Sequence, residues 1–145
     1  MAKFIEVPTF DIYDEATGQW ADDEEWWLNG RMVYQSDLLG EDGKPLLVVV
    51  PDRFLTDLSS LPRWPSIIRA IFIKNGRHRP AAVPHDYLCR LGLDFPRRLA
   101  DAVFLESMKL VGVKRIHRRL MYWAVRINTE RLILIGKARK FRRSI

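Results

Sequence analysis

The sequence has little cysteine, no glycine-rich segment and no long apolar run, and each shortage excludes a class of protein. Cys89 is the only cysteine among 145 residues, so an internal disulfide framework and a zinc ribbon are excluded. No N-terminal apolar run resembles a signal peptide, and no stretch of about twenty apolar residues could span a bilayer. There is no Gly-rich phosphate loop, H-E-x-x-H motif or internal repeat. We therefore expect a cytoplasmic protein without a transmembrane segment.

Charge is divided unevenly between the two parts of the chain. Residues 1–60 contain 4 Lys and Arg against 13 Asp and Glu, a net charge of −9, whereas residues 61–145 contain 20 against 5, a net charge of +15. This segregation indicates either that the charges of the two parts of the chain complement each other or that the protein makes an oriented contact with an anionic partner. The alternative is that both charged regions are solvated surfaces. The length suits one domain, which we place at residues 1–136, followed by a basic tail, residues 137–145, that we expect to be mobile.

Short apolar and β-branched segments in the first third predict an antiparallel sheet. Residues 4–10 fit a short edge strand, because Pro8 cannot donate to a strand ladder. Residues 26–35 carry an Asn-Gly dipeptide between apolar residues, which is the strongest short hairpin signal, and one bulged strand is the alternative. Residues 45–50 are apolar and β-branched, and they predict a buried strand.

Helical patterns occupy most of the remaining chain. Residues 64–72 predict a short apolar helix, and Pro84 fits the first position of a second helix, where a missing N–H costs nothing. Turn signals at residues 92–96 separate this helix from a third. A long fourth helix covers residues 114–135, with Gly136 as its C-cap and with apolar positions Ile116, Leu120, Trp123, Ile127 and Leu134. The expected fold is α+β, a small N-terminal antiparallel β-sheet packed against about four C-terminal helices.

His85 and the acidic residues around it are the best candidates for a chemical site. His85 and Asp86 would lie in the first turn of the helix that Pro84 begins, where the helix dipole favours a carboxylate and disfavours an imidazolium. We therefore expect His85 to be neutral, as a general base or metal ligand must be. A short connection makes the next helix an antiparallel neighbour, which brings Asp101 towards His85. Asp57 is the second carboxylate expected beside His85, and Asp57 and Asp86 are the candidate ligands of a divalent metal ion.

A structural role for the same residues is the default interpretation from spacing alone. Asp101 follows Arg97 and Arg98 at helical spacing, so it could form only exposed ion pairs with them. Asp57 could cap a helix, and His85 could brace a core through hydrogen bonds.

Arginine is concentrated in the long helix and in the tail. These residues could contact nucleic acid or another anionic surface weakly, without sequence specificity. A basic solvated face is the alternative, and we prefer it. The candidate anion-binding residues are Arg118, Arg119, Arg139, Arg142 and Arg143.

Four segments, residues 48–64, 81–90, 97–113 and 118–127, share a distinctive combination of short motifs. The motifs are V-P-x-x-F-x-T-D-x-x-S-x-P, A-x-x-H-D-Y-L and R-x-x-A-D. Over about residues 26–127 the chain thereby resembles an uncharacterised family of small phage and prophage proteins, classed as a domain of unknown function. We assign Ser60 and Tyr87 a supporting role at the site. The motif positions in this chain are Phe54, Thr56, Asp57, Ser60, Pro62, His85, Asp86, Tyr87 and Asp101.

The resemblance implies a phage origin, and genes of this family lie among tail or lysis genes. The first hypothesis is a small hydrolase, metal-assisted in one version, that acts in lysis or envelope attack, with His85 as general base and Asp101 or Asp57 assisting it. The alternative is a non-enzymatic tail, virion or assembly protein that contacts other virion proteins, and nucleic-acid binding ranks third. The expected location is the host cytoplasm or the virion itself, and whether the chain is an enzyme is left open.

Overall fold

The computed structural model describes residues 1–11, 13–14, 19–20, 25–57, 79–91 and 96–143. Within these residues strands precede helices, which confirms the α+β class. The helix predicted over residues 64–72 lies outside the described residues, which contain three helices rather than about four. The strands are β1 (Lys3–Glu6), β2 (Thr9–Asp11), β3 (Tyr13–Asp14), β4 (Gln19–Trp20), β5 (Glu25–Asn29), β6 (Met32–Leu39), β7 (Pro45–Val50) and β8 (Leu55–Asp57). The helices are α1 (Arg79–Arg90), α2 (Arg97–Leu110) and α3 (Arg115–Arg143).

The strands form two three-stranded antiparallel ladders, ordered β1-β6-β7 and β2-β5-β8, and a separate β3-β4 ladder. Each three-stranded ladder takes one strand from each of three segments of the chain, in the same order: residues 3–11, 25–39 and 45–57. Each of these segments therefore leaves one sheet and enters the other at an interruption between its two strands. The single small sheet expected from the sequence is corrected to two three-stranded antiparallel sheets.

The interruption in the middle segment falls at Gly30. Gly30 has a φ of 110°, and its N–H donates to Asp52 Oδ1 at 2.7 Å. Beside it, the Leu28 N–H donates to the Phe54 carbonyl and the Arg53 N–H donates to the Leu28 carbonyl, both at 3.0 Å. The predicted hairpin is wrong, because β5 pairs with β2 and β8 whereas β6 pairs with β1 and β7. The alternative of one irregular strand describes this segment better.

The core consists of two hydrophobic clusters that share α1. The first lies between the strands and the helices and includes Leu28, Tyr34, Val50, Val83 and Val103. The second lies among the three helices and contains Ala81, Ala82, Phe104, Met108, Met121 and Val125. Helix α2 contributes to both clusters as well, through Val103 and Phe104, so α1 and α2 together connect the two parts of the core.

The apolar face predicted for the long helix is exposed rather than packed. Ile116, Trp123 and Leu134 are 70%, 62% and 65% exposed, whereas the face that contacts the rest of the protein carries Met121, Ala124, Val125 and Thr129. The covered face carries the smaller side chains, so it is not the one with the largest apolar residues. None of the helices in the described ranges is both long and apolar enough to cross a membrane.

The long helix also ends later than predicted. It continues through Gly136 to Arg143, so Gly136 lies inside the helix and is not its C-cap. Gly136 has no positive φ, which a glycine C-cap normally has. The division between residues 1–136 and 137–145 stays a prediction.

Candidate functional site

Helix α1 positions His85 near its middle. The helix begins at Arg79, so Pro84 lies inside it and not at its first position. An internal proline removes one backbone hydrogen bond and is disfavoured in a helix. The residues just before it, Ala81, Ala82 and Val83, are buried against the neighbouring elements. We attribute the longer helix to that burial, which the sequence pattern did not reveal.

The structure brings His85 and Asp101 together across the α1–α2 contact. His85 Nε2 lies 2.9 Å from Asp101 Oδ1, and this bond joins two side chains that are 7% and 0% exposed. The Phe104 ring lies beside the imidazole, with 5.0 Å between the ring centroids. Cys89 Sγ lies 3.6 Å from the same Nε2 atom. Asp101 therefore forms a buried pair with His85 and not the exposed pairs with Arg97 and Arg98 that the spacing allowed.

Asp86 lies on the other side of the imidazole. Its Oδ1 atom is 3.8 Å from His85 Nδ1, which is an ion-pair distance rather than a hydrogen bond. Its Oδ2 atom accepts a hydrogen bond of 2.8 Å from the Thr56 hydroxyl on β8. Asp86 thus connects α1 to the strands, and both of its oxygen atoms have partners inside the protein.

Arg126 on α3 extends the network to the protein surface. Arg126 Nη1 lies 3.5 Å from Asp101 Oδ2, an ion pair without hydrogen-bond geometry. Arg126 Nη2 donates to Glu130 at 3.0 Å, and Glu130 also accepts two hydrogen bonds from Arg98 on α2. The network therefore spans all three described helices. Sequence reasoning missed Arg126, although its position next to the apolar residue Ile127 was the available signal.

The surroundings of His85 favour its protonated form. Burial by itself lowers the pKa of His85, but the hydrogen bond with Asp101 and the interactions with Asp86 and Cys89 outweigh it and raise the pKa well above its ordinary value. The sequence placed His85 at the positive end of a helix and predicted a neutral imidazole, whereas the two neighbouring carboxylates act in the opposite direction. The charge of His85 stays a prediction. With a protonated His85, two carboxylates face an imidazolium and the Arg126 guanidinium, which is a balanced arrangement of buried charge.

A second polar cluster joins α2 to the sheet. Glu106 Oε1 accepts hydrogen bonds of 2.6 Å from both Tyr34 and Ser36, and Glu106 Oε2 accepts one of 3.2 Å from the Asp37 N–H. Burial and the neighbouring carboxylate raise the pKa of Tyr34. No sequence signal indicated this cluster, because Glu106 lies about 70 residues away from the three residues that it contacts.

The structure leaves the metal hypothesis open. The backbone of Asp57 is in β8, paired with Glu25, but its side chain and all of Ser60 lie outside the described residues. Among the side chains that are described, no group of three or more His, Cys, Asp or Glu is arranged to hold a metal ion. A metal held by Asp57 and Asp86 stays a prediction.

The remaining predicted site residues make other contacts or have side chains that are not described. Tyr87 packs edge-on against Phe54, with 5.6 Å between ring centroids, and Arg90 stacks over the same Phe54 ring at 4.7 Å. Arg118 donates to the Val113 carbonyl at 3.5 Å. Arg119 is exposed, and the side chains of Arg139, Arg142 and Arg143 are not among those described. Anion binding by these arginines stays a prediction.

These contacts limit what the network can do chemically. A protonated imidazole cannot accept a proton, so the raised pKa of His85 favours a general acid or a structural cation over a general base. Its Nε2 atom is already engaged by Asp101, and only 7% of the residue is exposed. The arrangement is suited to joining three helices and a strand through paired buried charges.

Fold and site together define a small α+β protein with an internal histidine–aspartate–arginine network. The chain belongs to the family described as Protein of unknown function (DUF1353), whose match covers residues 32–125. The match runs from β6 into α3 and includes His85, Asp86 and Asp101, and it ends one residue before Arg126. No curated protein and no solved structure matches the chain.

Proposed function

We propose that this chain is a non-enzymatic assembly component of a bacteriophage particle. The observation that carries the proposal is the enclosure of the His85 network: His85, Asp86 and Asp101 are 7%, 4% and 0% exposed. A catalytic site must admit a substrate to its reactive groups. Here the reactive groups bind one another, and the residues that resemble an active site stabilise the fold.

The exposed surface of α3 supports a binding role. Five large apolar residues on one side of this helix are between 45% and 70% exposed: Ile116, Leu120, Trp123, Ile127 and Leu134. A large contiguous apolar patch on a protein surface commonly marks an interaction site, and tryptophan is enriched at protein interfaces. The phage setting rests on the family resemblance of the motif-bearing segments.

The test is to find the chain in purified phage particles. A phage that encodes an epitope-tagged copy would be purified through a density gradient and its proteins quantified by mass spectrometry. We expect a fixed number of copies per particle. We also expect His85→Gln to permit phage growth at any temperature at which the variant stays folded. Absence of the chain from intact particles would contradict the proposal.

A hydrolase acting in lysis or envelope attack is the second candidate. The specific observation in its favour is the 2.9 Å contact between His85 and Asp101, with Cys89 Sγ 3.6 Å away. In this version a protonated His85 is a general acid that Asp101 orients, and Asp57 and Asp86 bind a divalent metal ion. Purified chain would be incubated with phospholipid vesicles and cell-wall fragments, with and without added divalent ions. Turnover that disappears in a folded Asp101→Asn variant supports the hydrolase and contradicts the assembly role.

A further inference from the structure

We infer that the turn between α2 and α3 docks on the surface of an anionic phospholipid bilayer. The docking surface is the α2–α3 tip, which we define as residues 109–119: the end of α2, the connection and the start of α3. This inference goes beyond the proposed assembly role and does not depend on it. It concerns one end of the helix pair and not the outer side of α3.

The α2–α3 tip is strongly basic. Five of its eleven residues are Lys or Arg, and none is Asp or Glu. Elsewhere in the described ranges, Arg31, Arg98 and Arg126 are each paired with an acidic residue. Four of the five cations of the tip are exposed and form no ion pair within the described part of the chain: Lys109, Lys114, Arg115 and Arg119. The tip therefore presents a positive potential to its surroundings.

The acidic residue nearest to the tip along the chain, Glu106, is engaged elsewhere. Its carboxylate accepts three hydrogen bonds from residues of β6, so it belongs to the contact between α2 and the sheet. Arg115 and Arg118 also lie in the first turn of α3, where the helix macrodipole disfavours cations. Cations that collect where local electrostatics opposes them indicate a surface that an anionic partner completes.

Apolar side chains lie among these cations. Leu110 is 44% exposed and Ile116 is 70% exposed, and the half-buried Val111 and Val113 lie between them in the sequence. Exposed apolar side chains have little to bind on the phosphate backbone of a nucleic acid, whereas at a bilayer they enter the boundary between headgroups and acyl chains. Basic and apolar residues on one small surface therefore favour an anionic lipid surface over a nucleic acid.

The tip has a defined position and a defined backbone. Arg98 near the start of α2 pairs with Glu130 far along α3, so the two helices run antiparallel and their connection lies at one end of the pair. Gly112 adopts a left-handed φ of 76°, and its N–H donates to the Lys109 carbonyl at 3.3 Å. A connection that is already ordered loses little conformational freedom when it docks.

The cations and the apolar residues contribute in different ways. A short apolar insertion binds a bilayer weakly by itself, and each Lys or Arg close to an anionic surface strengthens binding by roughly a factor of five. We therefore expect the chain to bind vesicles that contain phosphatidylglycerol and to bind neutral phosphatidylcholine vesicles much more weakly. The affinity for anionic vesicles should fall as salt is added, because salt screens the attraction.

The experiment measures co-sedimentation of the full chain with vesicles of phosphatidylcholine, with and without phosphatidylglycerol. The charge variant carries Lys114→Glu and Arg115→Glu. Its matched control carries Arg97→Glu and Arg131→Glu, which change the net charge by the same amount. Both control positions lie about 18 Å from the tip along the same two helices, at the rise of an α-helix.

A second pair of variants tests the apolar contribution. The apolar variant carries Leu110→Ser and Ile116→Ser, which remove the exposed apolar side chains of the tip. Its control carries Ile127→Ser and Leu134→Ser, which remove two exposed apolar side chains farther along α3. Because these side chains are exposed, circular dichroism should show an unchanged fold in both variants.

The charge variant should bind anionic vesicles at least about 25-fold more weakly than the parent chain, because two cations are lost and two anions are added. Its control should bind within about three-fold of the parent, since charges beyond roughly 10 Å are screened at 0.1 M salt. The apolar variant should bind at least about ten-fold more weakly, and its control should again match the parent. This pattern would place the lipid contact at the tip.

Three results would overturn the inference. A parent chain that binds neither kind of vesicle has no lipid-docking surface. Controls that lose as much binding as the tip variants would show that the contact lies along α3 or depends only on net charge. A chain that ignores vesicles but binds double-stranded DNA, and that loses this binding in the charge variant alone, has a nucleic-acid surface at the tip.

Discussion

His85 belongs to a buried network whose charged members come from three helices. Asp86 is its neighbour on α1, Asp101 comes from α2, and Arg126 on α3 balances the second carboxylate. Removing one partner of such a group leaves an uncompensated charge inside the protein, which costs far more than losing a surface ion pair. Two measurements on single residues test this description.

The first prediction concerns the titration of His85. Because the pKa of His85 is raised in the folded protein, its protonation stabilises the fold. The full stabilisation is present below about pH 6.5, the pKa of histidine in the unfolded chain. This stabilisation is lost as the pH rises through the pKa of His85 in the folded protein. The difference in unfolding free energy between the parent and His85→Gln should therefore shrink as the pH is raised above about 6.5. Urea denaturation at several pH values measures it, and NMR follows the imidazole directly. A His85 ring that titrates at or below its ordinary pKa would refute the charge assignment.

The second prediction concerns Asp101. Replacing it with Asn removes the negative charge that faces both His85 and Arg126, so we expect a loss of about 3–5 kcal/mol of stability. The double variant with His85→Gln should lose less than the sum of the single losses, because the two side chains form one network. Asp37→Asn is the matched control: Asp37 pairs with the N-terminus at the surface, and its replacement should change little. Additive losses would mean that the two residues act independently.

At the scale of elements, Gly30 lies where the middle segment leaves one sheet and enters the other. Its φ of 110° lies outside the range that other residues adopt readily, and a Cβ there would lie 3.3 Å from the Cβ of Pro8. Gly43 also has a positive φ, of 73°, but a Cβ there would meet no atom within 4 Å. The two glycines therefore differ both in backbone conformation and in the space available for a side chain.

The third prediction uses this pair. Gly43→Ala should cost about 1 kcal/mol of stability, the usual penalty for a left-handed alanine. Gly30→Ala should cost roughly 2–3 kcal/mol, because its backbone is more strained and the added methyl group meets Pro8. Chemical denaturation of both variants provides the comparison. Equal losses would show that neither the larger φ of Gly30 nor the contact with Pro8 adds to the cost of the substitution.

The fourth prediction tests the end of α3 at Gly136. Inside a helix, Gly136→Ala should stabilise the protein by about 0.5–1 kcal/mol, because alanine loses less conformational entropy. At a C-cap with positive φ, the same substitution should destabilise it instead. The sign of the change in midpoint of thermal unfolding therefore distinguishes the observed helix from the one expected from the sequence. A lower midpoint would restore Gly136 as the helix end.

At the scale of the molecule, α1 joins the two halves of the core. Val83 and Leu88 belong to the cluster under the sheet, and Ala81 and Ala82 belong to the cluster among the helices. Side-chain bonds from Thr56 to Asp86 and from Tyr34 to Glu106 add direct connections between strands and helices. The acidic strand region and the basic helical region are therefore parts of one cooperative unit.

The fifth prediction follows from this shared helix. In a variant that carries Trp64→Phe and Trp123→Phe, the remaining tryptophans, Trp20, Trp26 and Trp27, lie in strands β4 and β5. The fluorescence of this variant reports on the strand region, and far-ultraviolet circular dichroism reports mainly on the helices. The two signals should change together in urea, with the same midpoint, because neither core cluster is complete without α1. A helical signal that is lost at lower urea concentration than the fluorescence signal would show two independent units.

Local chemistry made part of the site predictable. His85 and Asp101 were paired from the sequence because a short connection makes neighbouring helices antiparallel, and both lie within one such pair. Arg126 and Thr56 could not be assigned to the network in this way, since each lies at least 25 residues from its partner. The direction of the pKa shift of His85 was not predictable for the same reason: it depends on carboxylates that packing brings close, not on the position of His85 along the chain.

The sequence by itself determined the α+β class, the strand and helix regions, the segregation of charge and the pairing of His85 with Asp101, because local propensity and periodicity act over a few neighbouring residues. Only the tertiary structure decided how strands pair on either side of Gly30 and that the largest apolar residues of α3 face outward. It also decided that His85 is enclosed between two carboxylates and that Thr56 and Arg126 join the network. Each of these depends on contacts between distant segments, and the free energy of burial and of charge pairing is set by those contacts.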